Sequence, residues 1–282
     1  MDGAVCFGRA DRSFLATVSP AAGERIFLPP GQSVCVHAVG ESLFNTSFYS
    51  SQSSVQGAPM RVVAINGSPR KNFNTATLLQ YALRGAEEAG AETVMYHIGS
   101  MNFSPCRSCF ACKSRKRPQD GMCVLNDELT PILKDVINAD AVVFGSPIYF
   151  YTESAGFRAF LERLLFPLSR YTKDDRSLFK GTKPVAMVYT MNITDDEVIA
   201  RKSPFPPPFS LDITVKTEYF FRRAFGMCRT LLSTDTMQVK DYSAYYMEMF
   251  DAAEKLRRHE EVFPQDCQKA FLLGKSLVEK AS

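Results

Sequence analysis

A short apolar run, Val62, Val63, Ala64 and Ile65, breaks at Asn66 and Gly67, crosses a polar loop of Ser, Arg, Lys and Asn, and reaches Thr75, which reads as a helix cap. A strand, a loop and a helix start follow one another. Nothing else in the chain constrains the fold as much, because a continuous apolar strand that feeds straight into a helix is the unit of a buried parallel sheet.

The loop is suited to an anion. Ser68, Asn74, Thr75 and Thr77 carry side-chain donors, and Arg70 and Lys71 carry charge. The first backbone N–H groups of the following helix lack intrahelical partners and point into the same space. One phosphate monoester would satisfy all of these groups. The stretch GSPRKNFNT lacks the closing Gly-Lys-Ser/Thr of a Walker A loop and is not GxGxxG, which argues against a nucleoside triphosphate or a dinucleotide. The competing reading is an ordinary strand-to-helix turn whose polar residues only cap the helix.

The alternation then repeats. A helix from Thr75 carries Leu78, Leu79, Ala82, Ala86 and Ala89 on one side and stops at Gly90, a good left-handed C-terminal residue. A second strand is expected over 92–98, a helix over 127–139, and a buried strand over 141–145. The polar-aromatic loop SPIYFYTES leads to a helix with Phe157, Phe160, Leu161, Leu164 and Leu165 on one face. The fourth strand is expected over 185–190. Residues 191–217, with Pro204 and Pro206 to Pro208, read as irregular and long enough to be a lid or a dimer arm. A short helix over 218–225, a fifth strand within 228–239, and helices over 248–262 and 265–280 complete the pattern.

This pattern implies an α/β fold, a doubly wound five-stranded parallel sheet in the order 2-1-3-4-5. Ligands of such sheets bind where the winding reverses, outside the carboxyl ends of the first and third strands. The loops at those ends are GSPRKNFNT and SPIYFYTES, the two richest in chemistry. A phosphate on the first and a planar ring against Tyr149, Phe150 and Tyr151 on the second describe a flavin mononucleotide, whose polar ring edge can take backbone N–H groups. The competing reading of these aromatics is a buried strand end.

Residues 1–59 differ from the rest. Segments 26–28 and 33–39 read as a small hairpin and 42–59 as a serine-rich linker, so the expected division is an N-terminal extension over 1–59 and one domain over 60–282. The net charge of +3 has mixed signs throughout, which gives no case for nucleic acid, and the basic cluster 113–117 reads as a solvated loop. No window holds the roughly 20 apolar residues of a membrane span, and the N-terminus lacks a signal-peptide core, so no membrane association and a cytoplasmic location are expected.

In that compartment the eight cysteines are expected to be thiols or ligands. Cys106, Cys109 and Cys112 form CxxCxxC, and Cys123 stands as a fourth candidate. Such spacing can present several thiolates to a [4Fe–4S] cluster, serves a structural zinc as well, and is compatible with free thiols; all three readings stay open. Cys6, Cys35, Cys228 and Cys267 read as core thiols, and His37, His97 and His259 are too scattered for a catalytic or metal site.

The stretches GSPRKNFNTATLL, CRSCFAC, FGSPIYFYTESAGFRAFLER and FPQDCQKAFLLGKSL resemble the NAD(P)H-dependent FMN reductases and iron–sulfur flavoproteins of the flavodoxin-like superfamily. The resemblance covers about residues 60–278. It implies that Ser68, Arg70, Asn74, Thr75 and Ala76 bind the FMN phosphate and that Pro147, Ile148, Tyr149 and Phe150 line the isoalloxazine. It also implies a homodimer or higher homo-oligomer. The gap of ten residues between Cys112 and Cys123 departs from the resembled iron–sulfur flavoproteins, which place the fourth cysteine closer. The expected function is an oxidoreductase in which NAD(P)H reduces bound FMN, which passes electrons to a small acceptor (a quinone, a nitro compound or a flavin) or to an iron–sulfur centre. The alternatives are a non-catalytic electron carrier of the same fold and a flavin-free redox sensor that uses only its cysteines.

Overall fold

The computed structural model describes residues 58–173, 177–194 and 209–279, the first seven of the last stretch by backbone alone, together with four short strands nearer the N-terminus. Two units make up the chain, Met1–Ala58 and Pro59–Ser282. In the first, β1 (Val5–Cys6) pairs antiparallel with β4 (Cys35–Val36), and β2 (Leu15–Thr17) pairs antiparallel with β3 (Arg25–Phe27). The hairpin expected between 26–28 and 33–39 is therefore replaced by pairings with strands earlier in the chain.

In the second unit β5 (Arg61–Asn66), β6 (Glu92–His97), β7 (Ala141–Tyr149), β9 (Val185–Thr190) and β10 (Arg229–Ser233) form a parallel sheet in the spatial order β10-β9-β7-β5-β6. Taken in chain order this is 2-1-3-4-5, the doubly wound order of a flavodoxin-like fold. A sixth strand, β8 (Thr152–Glu153), folds back antiparallel on β7. The helices are α1 (Asn74–Glu88), α2 (Leu129–Asn138), α3 (Ala155–Leu168), α4 (Phe209–Phe225), α5 (Ala252–Glu261) and α6 (Phe263–Glu279). Expected and observed boundaries differ most at α4. It begins at Phe209, so the irregular stretch expected over 191–217 ends earlier; 195–208 lie outside the described residues.

Strand side chains alternate between faces, and the two faces are unlike. Toward α2, α3 and α4 the sheet presents Val63, Ile65, Val142, Phe144, Val185, Met187 and Tyr189. Phe144 stacks on Phe221 of α4, with centroids 4.6 Å apart and planes within 9°. Toward α1 and α6 it presents the smaller Val62, Ala64, Ala141, Val143, Ala186 and Val188. Small side chains bring those two helices close to the sheet and to each other. A Cβ at Gly85 of α1 would lie 1.9 Å from the Phe271 carbonyl oxygen, and one at Gly274 of α6 would lie 1.8 Å from that of Ala82. Glycine is thus required on both sides of the crossing.

Candidate functional site

The loop after β5 is wound by its own polar groups. Asn66 Oδ1 accepts from the Ser68 N–H (3.0 Å), Ser68 Oγ accepts from the Arg70 N–H (3.1 Å), and the Gly67 N–H donates to the Gly145 carbonyl (2.8 Å). Asn66 Nδ2 lies 3.0 Å from Nδ1 of His97 at the end of β6. Burial, and then the charge of Lys71, hold the His97 imidazole below its usual pKa.

Thr75 is not the helix cap. The helix starts at Asn74 behind Phe73, an extended residue whose side chain caps nothing. Thr75 sits in the first turn, with its hydroxyl 2.8 Å from that of Thr190 at the end of β9. The first-turn N–H groups are thus left without a side-chain acceptor, as an anion at a helix N-terminus requires. Ala76 is fully buried and brings no side chain to the opening; only its N–H is available.

Beyond Gly145, where a Cβ would meet Leu79 and Thr75 at 2.8–2.9 Å, the stretch expected to be a loop continues as strand through Tyr149. It then turns within two residues into β8. Both turn residues, Phe150 (φ 48°) and Tyr151 (φ 60°), are left-handed, as a two-residue hairpin of right-handed twist demands, although glycine and asparagine are the usual occupants. Phe150 is consequently fully exposed and Tyr149 is 43% exposed.

Ser68, Arg70, Asn74, Thr75, Pro147, Ile148 and Tyr149 come together around one cleft of about 140 Å³ at the carboxyl edge of the sheet. Ala76 and Phe150 are not on its walls. A further wall, not anticipated from sequence, is formed by Thr190 at the end of β9 with Met191 and Asn192 after it, and by Thr236, Met237 and Gln238 after β10. It holds the donors of the first loop in place. Asn74 Nδ2 donates to the Met237 carbonyl (2.7 Å), Arg70 donates to the Gln238 carbonyl, and the Arg70 guanidinium lies 4.8 Å from the Phe73 ring centre. Behind this wall the buried Lys255 ammonium donates to Asn192 Oδ1 (2.6 Å) and pairs with Asp235. No sequence signal marked these residues, because their contribution is largely main-chain carbonyls.

This donor set fits the phosphate end of FMN: an uncapped helix start, a guanidinium and three neutral side-chain donors converge on one opening. The apolar and aromatic wall at 147–149 suits a planar ring.

The four loop cysteines line a second, smaller pocket with Glu162, Phe166 and Pro167. Ser108 (φ 52°) and Phe110 (φ 54°) are left-handed and turn the backbone between the thiols. Two cations fasten this loop to α3. Arg163, fully buried, donates to the Ser104 carbonyl (2.9 Å) before the first cysteine, to the Leu125 carbonyl (3.1 Å) after the last, and to both oxygens of Asp127 (2.8 and 3.1 Å). Lys113 was expected in a solvated cluster; instead its ammonium caps the carboxyl end of α3 at the carbonyls of Phe166, Pro167 and Ser169. The Cys112 thiol is pushed up by burial, against the pull of Lys113, with Cys123 and Cys106 adding to the rise. Yet among the described residues no three Cys, His, Asp or Glu side chains are grouped to hold one metal ion.

No helix among the described residues is long and apolar enough to cross a membrane. Residues 60–195 match the family model of the NADPH-dependent FMN reductases. An iron-sulfur flavoprotein of Methanocaldococcus jannaschii is 36% identical over 104 residues, 37% of this chain and 51% of that protein. The chain thus spans about half the length of this curated relative. Among solved structures, an NAD(P)H:quinone oxidoreductase from Methanothermobacter marburgensis superposes with a TM-score of 0.54 at 14% identity, covering 78% of this chain and 98% of that one. An azoreductase from Bacillus anthracis gives 0.52 at 15% identity, over 77% and 99%. At such identities the likeness speaks for the fold alone. Residues 60–195, just under half of the chain, thus carry the match to the NADPH-dependent FMN reductases, and they include four of the five parallel strands and both loops that meet on the cleft.

Proposed function

We propose that the chain is an FMN-dependent oxidoreductase that takes electrons from NAD(P)H and delivers them to a small acceptor of the quinone, nitro or flavin class. The observation that carries this reading is the meeting of the β5 and β7 loops on one cleft, with phosphate-type donors on one side and a flat apolar wall on the other. FMN, when bound, supplies hydride acceptance and return. The chain's part is to bind and orient. Ser68, Arg70, Asn74, Thr75 and the first-turn N–H groups of α1 hold the phosphate, which fixes one end of the cofactor. Pro147, Ile148 and Tyr149 would back the ring, which when bound would meet nicotinamide and acceptor from the side away from this wall. No side-chain acid or base is required for hydride transfer.

The test is an absorption spectrum of the purified protein, followed by release of the chromophore and its chromatographic identification, and then NADH and NADPH oxidation with a quinone. Two flavin bands, released FMN and turnover support the reading. A colourless protein that gains neither bands nor NAD(P)H oxidation on addition of FMN overturns it. We further propose a cytoplasmic homodimer, for which sedimentation equilibrium gives the mass.

A further inference from the structure

Glu153, the last residue of β8, is buried, its side chain fully so, and belongs to none of the cleft walls. Four elements converge on its carboxylate. Oε1 accepts from the Tyr189 hydroxyl of β9 (3.1 Å) and from the Thr217 hydroxyl of α4 (2.6 Å). Oε2 accepts from the Thr152 hydroxyl (3.2 Å) and lies 3.5 Å from the Arg158 guanidinium of α3. A buried carboxylate with neutral donors on one oxygen and a half-exposed cation near the other adds little net stability, so the geometry it imposes is the property to follow.

That geometry concerns the cleft. Glu153 pairs with Ile148 across the β7–β8 hairpin, and Thr152 pairs with Tyr149. The left-handed turn Phe150–Tyr151 closes the hairpin beyond the Tyr149–Thr152 pair, a conformation of the sort that persists only where the surroundings over-determine it. The next residue, Ser154, ties the hairpin to the phosphate loop: its Oγ donates to the Gly67 carbonyl (2.7 Å) and its N–H to Ser146 Oγ (3.1 Å). Tyr189 immediately precedes Thr190, which faces Thr75. Glu153 therefore connects the ring wall, the end of β9 and α4 at one point.

We propose that Glu153 is a positioning residue for the flavin ring: it sets the orientation of the 147–149 wall without touching the cofactor. The proposal rests on the FMN reading of the cleft. No phosphate donor touches Glu153, since these donors are held by Asn66, Ser68, Thr190, Met237 and Gln238, so a change at Glu153 reaches the ring wall directly and the phosphate donors only through Ser154 and Thr190.

The test is Glu153→Gln, which keeps the size and one accepting oxygen, compared with Thr217→Val, which removes one donor and keeps the carboxylate. Visible circular dichroism of bound FMN, its reduction potential, its dissociation constant, and kcat and KM for NAD(P)H are measured alongside Tm. For Glu153→Gln the flavin circular dichroism and potential are expected to shift. A fall of about tenfold in kcat should accompany them, below the roughly hundredfold that a 1 Å misplacement can cause. FMN affinity should change less than about threefold, and Thr217→Val should give a smaller shift in the same direction. Loss of Tm with unchanged flavin dichroism, potential and kcat in both variants would make Glu153 a strut of the fold and overturn the proposal. If Glu153→Gln fails to fold, Thr217→Val decides alone by the same readouts. Failure of the wild type to bind FMN would overturn the reading of the cleft instead.

Discussion

The phosphate loop and the cysteine loop leave the same edge of the same sheet, after neighbouring strands, yet they are held in opposite ways. The first is short and wound by hydrogen bonds that repeat at almost every residue: Asn66 to Ser68, Ser68 to Arg70, Gly67 to Gly145, with carbonyls of 237–238 across the opening. The second is long, contains left-handed Ser108 and Phe110, and depends on Arg163 and Lys113 for its attachment to α3. A site made by many local bonds tolerates the loss of one. A site fastened mainly by two cations, with the weaker Cys106 N–H to Glu162 bond and the Phe110–Phe166 contact beside them, tolerates it less.

The largest effect that would test this contrast is expected at Arg163. Replacing it by Met takes the guanidinium from the Asp127 carboxylate and from the Ser104 and Leu125 carbonyls, leaving Asp127 the Leu129 N–H and Leu125 the Thr130 hydroxyl. The guanidinium's own pKa is raised although burial opposes this, because Asp127 and then Cys123 hold the charge. Breaking a buried pair of this kind costs about 3 kcal/mol, measured by denaturant unfolding, and alkylation of Cys106 and Cys123 should accelerate. A loss under about 1 kcal/mol with unchanged thiol reactivity would mean that the loop is held elsewhere.

Arg70→Ala should be milder. A charge-assisted bond to phosphate contributes about 1.5–3 kcal/mol, and Arg70 is exposed, so a drop of about tenfold in FMN affinity with unchanged stability is expected by flavin fluorescence titration. Unchanged affinity would remove Arg70 from the site.

The thiols sharpen the contrast through pH. Burial pushes Cys228 up to about 12 and Cys267 up to about 11, whereas Cys109 is exposed. At pH 8 iodoacetamide should label Cys109 and spare Cys228 and Cys267, as peptide mapping would reveal. Between pH 9 and 12 the unfolded Cys228 loses its proton while the folded one keeps it. The thiol's stabilising contribution, complete below pH 9, should therefore decline as pH rises, and the stability difference between wild type and Cys228→Ala should shrink over that range. A difference that is constant from pH 8 to 11 contradicts the burial of this thiol. The smallest effect is expected from deletion of residues 1–58: a folded chain that still binds FMN, with Tm within about 4 °C. Insoluble or FMN-free product would show that the first unit is needed.

The strands were legible because a sheet buried on both faces needs unbroken apolar runs, and Val62 to Ile65 or Val185 to Tyr189 can hardly be anything else. Two cleft walls were legible because their donors are side chains at strand ends. The third was not, since Met237 and Gln238 act through carbonyls that every residue possesses. Phe150 lies off those walls for a related reason: an aromatic run suggests flat surface, but as the first residue of a two-residue turn Phe150 faces solvent. Lys113 misled because its neighbours Arg115, Lys116 and Arg117 are indeed exposed, and only the carboxyl end of α3, brought up by tertiary folding, distinguishes it from them.

The glycine crossing of α1 and α6 has a consequence for the order of events during synthesis. The anion cradle begins with α1, early in the domain, but α1 settles against Gly274 and its Asn74 against Met237, both far along the chain. Contacts so distant in sequence form late. A nascent chain that has emerged only through β9 would carry the phosphate loop's residues without its helix support or its third wall, so cofactor capture should follow translation of α6 and not accompany the emergence of the loop.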